Sequence, residues 1–135
     1  MKAKIILSEI LLTLLSALPG AMVGLFFGAI YGGNYGSESF FGSGFEGAGV
    51  IGLILGAAAL AITKIYFWLN NIKLSFFTIT ILSFLVSSVI AYKLFYLQLN
   101  YLPGKAIALA TILLIHLAGL LIPTYIFRTK MKSKK

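Results

Sequence analysis

The chain has 135 residues, 60% of them hydrophobic and 10% charged, with a formal net charge of +8 at pH 7. That balance excludes an ordinary soluble domain and leaves room for one integral membrane domain. Cysteine is absent, which removes disulfides, thiolate metal sites and cysteine nucleophiles, and the cations flank apolar segments, so anionic lipid headgroups rather than nucleic acid are the expected partner.

The chain opens MKAKIILSEILLTLLSALPGA, which has the charge and apolar run of a signal peptide. Glu9 interrupts that run, and the segment is read as a retained first span over about residues 5–31. A bilayer core of roughly 30 Å needs about 20 apolar residues in a helix. This stretch is longer, and Pro19 near its middle predicts a kink or tilt, because proline removes a backbone donor and clashes with the preceding turn. Gly20, Gly24, Gly28 and Gly32 recur every fourth residue. On a helix they form one stripe, a groove that lipid tails fill poorly and another helix fills well.

Twelve of the fourteen glycines lie between Gly20 and Gly56. The connection over residues 32–47 is expected to be an outer loop. Its Tyr35, Phe40, Phe41 and Phe45 would rest in the headgroup layer or cover a partner; a re-entrant turn lining a pore is the alternative. Gly42, Gly44 and Gly47 have GxGxxG spacing, but with no strand expected before them and an apolar span after them they do not read as a dinucleotide loop.

The second span, about 48–69, presents Ala48, Gly52 and Gly56 at a spacing of four, with Gly49, Ala57 and Ala61 beside them. The first two spans are therefore expected to pack as an antiparallel, glycine-striped hairpin, although the same stripe could receive a second copy or another subunit. After NNIK at residues 70–73 comes a third span at about 74–97, and after QLNYLPGK at residues 98–105 a fourth at about 106–127. Tyr66, Trp68, Tyr92, Tyr96, Tyr101 and Tyr125 fall near span ends, where amphipathic rings are favoured. The basic tail, residues 128–135, carries Arg128, Lys130, Lys132, Lys134 and Lys135 as a topology anchor or a contact for anionic lipid or an acidic partner.

Four spans put both termini on one side. With that side cytoplasmic, nine of the eleven cations lie inside, only Lys93 and Lys105 lie outside, and the first outer connection holds Glu38 and Glu46. Ionisable residues within spans are Glu9, Lys64 and His116. An ion pair between Glu9 and Lys64 follows if the first two helices are neighbours; a role for Glu9 in proton or cation coupling is the alternative. His116, near the middle of the fourth span, can hydrogen-bond between helices, take up a proton or serve as a ligand, but one histidine is a poor ligand set. Aspartate is absent, so no Ser/His/Asp arrangement exists, and neither a metal cluster nor a phosphate loop appears.

SEILLTLL around Glu9 resembles the first helix of the small multidrug resistance transporters, which would imply an oligomeric exporter with the glutamate as coupling site. The long glycine-rich connection and the position of Glu9 toward the inner face depart from that pattern. Paired glycine-striped helices are also similar to the mitochondrial inner-membrane translocase family, whose arginine and aspartate signature has no counterpart here. Neither family is assigned. The residues lead to a non-enzymatic scaffold or accessory subunit of a membrane complex, or a homo-oligomer, in a bacterial inner membrane, with no cofactor. The alternative is a small oligomeric transporter or channel with Glu9 and His116 on the permeation path.

Overall fold

The computed structural model describes residues 2–36, 38–39, 42–101 and 105–133, less the side chains of 38–39, 43, 96–101, 105 and 131–133. The expectations placed on Phe40, Phe41, Lys134 and Lys135, and on the side chains of Glu38, Tyr96, Tyr101, Lys105 and Lys132, lie outside these residues. Four helices make the fold: α1 (Lys2–Tyr35), α2 (Gly44–Leu69), α3 (Leu74–Tyr101) and α4 (Lys105–Ser133). Each is long and apolar enough to cross a bilayer, the architecture of an integral membrane protein. Large apolar side chains point outward along all four, Leu14, Met22, Ile62, Val89 and Leu114 among them. In water this would be a liability; in lipid it is the solvent-facing surface.

The helices run past the apolar segments that define them. At about 1.5 Å per residue, the 34 residues of α1 span about 51 Å. The helix continues through Pro19 without interruption. It ends where Gly36 adopts a left-handed φ of 59° and its N–H donates to the Gly32 carbonyl at 2.9 Å, a C-terminal cap that glycine adopts without strain. Two short strands, β1 (Glu38–Ser39) and β2 (Gly42–Ser43), then pair antiparallel, Glu38 with Ser43 and Ser39 with Gly42.

The expected outer loop over 32–47 is thus much shorter. Glycine's poor helix propensity argues for a loop there, yet packing overrides it, because Gly32 lies against the Gly44 carbonyl and Ala48. Gly42 does sit on a strand, but one of two residues, with no resemblance to a βαβ unit. The basic segment from Arg128 is likewise helical as far as Ser133. Lysine and arginine are good helix formers, and their charge is favourable at a helix C-terminus.

The chain divides into two compact units, Met1–Asn71 and Ile72–Lys135. In the first, α1 packs against α2; in the second, α3 packs against α4. Between α2 and α3, Asn71 takes a left-handed φ of 54° and donates its N–H to the Trp68 carbonyl at 3.1 Å. Asparagine tolerates this conformation better than other non-glycine residues.

Candidate functional site

Each helix pair holds one ionisable arrangement inside a close backbone seam. Along α1 and α2 the seam is built from glycine. A Cβ at Gly24 would fall on the carbonyl oxygen of Gly52, and a Cβ at Gly52 on that of Gly24; Gly20 and Gly56 are related in the same way. Farther along, a Cβ at Gly28 would meet the Ala48 carbonyl, and one at Gly32 would meet the Gly44 carbonyl and lie 2.6 Å from the Ala48 Cβ. Each step of four along α1 is met by a step of four back along α2. Gly49 lies beside this line, where a Cβ would sit 3.2 Å from Leu25 Cδ1 and 3.6 Å from the Ala29 Cβ. At Gly20, Gly24, Gly28, Gly32, Gly52 and Gly56 the nearest obstructing atoms are helix carbonyls, which cannot swing aside as side chains can.

Toward the N-terminal end of α1 the glycines stop and side chains fill the seam. Leu60 is completely buried, and Ser16 is buried with its hydroxyl donating to the Thr13 carbonyl at 2.8 Å. Beyond them, the Lys64 ammonium donates to Glu9 Oε2 at 2.5 Å. The lysine side chain is 5% exposed and the glutamate 22%. An unpaired charge within a span is costly; paired, the two are hydrogen-bonded and tie α1 to α2 at a second point.

The α3–α4 seam is aromatic and hydroxylic. Buried Phe77, Thr80, Phe84, Ser87, Ser88, Ala91 and Phe95 recur along α3 at intervals of three and four, as on one face of a helix. Phe76 stacks on Phe127 of α4 with ring centroids 4.4 Å apart. A Cβ at Gly119 would lie 2.8 Å from the Ser87 Cβ and 3.3 Å from the Ser83 carbonyl oxygen. Within the seam, His116 Nδ1 donates to the Ile112 carbonyl at 2.7 Å and Nε2 lies 3.0 Å from Ser88 Oγ. The Phe84 ring, tilted 54° to the imidazole, is 5.1 Å away.

The three ionisable residues found within spans therefore fall into two places, Glu9 and Lys64 in the first unit and His116 in the second. Gly119 and its serine neighbours carry no signal in the glycine spacing. A search for small residues of any kind finds them, since Ser83, Ser87 and Ala91 repeat every fourth position on α3. Ser88 as the partner of His116 depends on the register between two helices, which no local pattern encodes. Arg128 and Lys130 lie exposed on the last turns of α4. Among the described residues no three His, Cys, Asp or Glu side chains are grouped as a metal site. Comparison with family models, curated proteins and solved structures gives no match to this chain.

Proposed function

We propose that this protein is a non-enzymatic scaffold or accessory subunit of a membrane complex, with both termini cytoplasmic, in a bacterial inner membrane. What carries the reading is where its polar groups go. Thr13, Ser16, Thr63, Thr80, Ser87 and Thr111 donate to carbonyls of their own helices, and Lys64 and Glu9 neutralise each other. Spent on internal structure, such groups hold helices in place and leave little for acid–base chemistry. The orientation rests on the cation distribution, and Arg128 and Lys130, with the lysines that follow, would meet anionic headgroups on the inner face.

In this reading the glycines serve the protein's own assembly. Gly20, Gly24, Gly28 and Gly32 face Gly56, Gly52, Ala48 and Gly44, so the partner subunit meets the apolar flanks of the hairpin rather than its glycine face. The mechanism is complementarity of shape, presented by a stiff pair of helices. Transport by a small oligomer is the second reading, favoured by an ionisable pair within the spans whose glutamate side chain is 22% exposed.

Native mass spectrometry of the complex extracted in a mild detergent tests the proposal. A stable assembly with different polypeptides is the expected result. A homo-oligomer alone, losing flux but not assembly on Glu9→Gln, would overturn it in favour of transport.

A further inference from the structure

We infer that the end of the α3–α4 pair carrying Lys73 and Lys130 binds the phosphate headgroup of an anionic phospholipid. The inference deepens the headgroup contact of the scaffold reading and rests on that reading's placement of the basic segment at the membrane surface.

The charge of the chain is unevenly divided. Met1–Asn71 holds three cations, Lys2, Lys4 and Lys64, and three acids, Glu9, Glu38 and Glu46, and is formally neutral. All of the +8 therefore belongs to Ile72–Lys135, which has the other eight of the eleven cations and no acidic side chain. The first unit supplies a counter-ion for buried Lys64. The second has none to supply.

Helix packing gathers part of this charge. Phe76 meets Phe127, Ser87 meets Gly119 and Ser88 meets His116, so each step along α3 is answered by a step back along α4. Continued one turn past the stacked rings, the same offset sets Lys73 opposite Lys130, each three residues beyond its own phenylalanine. Arg128 lies on that turn of α4, and all three side chains are exposed. Like charges brought opposite one another repel, and this unit has no carboxylate side chain to lie between them. A phosphate, which accepts from several ammonium and guanidinium donors at once, answers that pattern.

The surroundings choose among anions. Lys73 immediately precedes the apolar segment of α3, and Lys130 closes that of α4. Beside them Leu74, Tyr125 and Ile126 are exposed. A soluble anion meets only the charge. A ligand that meets both the cations and the apolar flank is an amphiphile, with its phosphate at Lys73 and Lys130 and its acyl chains along Leu74 and Ile126. Tyr125 then stands at headgroup level, where an amphipathic ring is favoured.

Native mass spectrometry of the full-length protein, titrated in detergent with dioleoyl phosphatidylglycerol or dioleoyl phosphatidylcholine, tests the site. Each basic residue near an anionic surface is worth about fivefold in binding, so phosphatidylglycerol should bind about 10- to 30-fold more tightly than phosphatidylcholine. Lys73→Gln with Lys130→Gln should remove most of that preference, and Lys73→Arg with Lys130→Arg should keep it. Lys2→Gln with Lys4→Gln, which takes equal charge from the first unit, should leave it nearly unchanged. Equal affinity for the two lipids, or equal losses from the two Gln pairs as a diffuse surface field gives, would overturn the inference. So would an acidic polypeptide held in place of lipid and released by the Lys73 and Lys130 changes. Lipids and subunits are read as separate masses, so the lipid site can fail while partner polypeptides stay bound, and the scaffold reading then stands without it.

Discussion

Replacing Gly24 by alanine adds one methyl group at the tightest point of the first seam. Its Cβ would fall on the Gly52 carbonyl oxygen, 2.6 Å from the carbonyl carbon and 3.2 Å from the Gly56 Cα, where ordinary contact begins at 3.4 Å. No side chain can move to make room, so the helices themselves must part by about 1 Å, a gap that forfeits a quarter to a half of the dispersion energy at each contact it opens. Overpacking of this kind costs about 1–3 kcal/mol, here at the upper end, and alanine's better helix propensity returns about 1 kcal/mol. The net loss of about 2 kcal/mol corresponds to roughly a 30-fold shift in the packing equilibrium. Gly33→Ala is the matched control, since its Cβ would meet the Phe45 Cβ at an ordinary 3.6 Å and the propensity gain should survive. Denaturing-detergent titration of the full-length protein, followed through its single tryptophan, Trp68 of α2, measures both. If Gly24→Ala were as stable as wild type, the steric reasoning would fail.

The Glu9–Lys64 pair should behave asymmetrically in the same assay. Glu9→Leu strands a lysine whose side chain is 5% exposed and is expected to cost about 3–5 kcal/mol. Lys64→Met should cost less, because the glutamate side chain it leaves is 22% exposed, and the double variant should lie closer to wild type than Glu9→Leu; additive losses would argue against a coupled pair. In the second unit, Gly119→Ala drives a methyl group to 2.8 Å from the Ser87 Cβ and should cost about 1–3 kcal/mol. Adding Ser87→Gly should recover part of that loss, and a thermal melt of the double variant no better than that of Gly119→Ala would place the strain elsewhere.

The four helices were legible because apolar runs of this length have few other physical explanations. Their ends were not. Gly32, Gly33 and Gly44 to Gly49 have the composition of a loop, and only contact between the two backbones makes helix the better state there. Four residues is close to one helical turn, so the spacing of Gly20 to Gly32 puts them near one helix face; which atoms of α2 they meet, and the Glu9–Lys64 contact, depend on how the two helices are set against each other. Ser88 and Gly119 could not be found in this way. Their neighbours His116 and Ser87 are set by the offset between α3 and α4, and Ser88 looks like any of the hydroxyls that bond within their own helix.

Each unit joins helices adjacent in the chain, α1 with α2 and α3 with α4. Contacts between neighbouring elements form at small loop-closure cost. Synthesis beyond Asn71 occupies several seconds at about 5–20 residues per second, long compared with helix pairing. The first hairpin, with its Glu9–Lys64 lock, can close before α3 has been made. The order of emergence from the ribosome then protects both charges from lipid, since neither need wait for the rest of the chain to find its counter-ion.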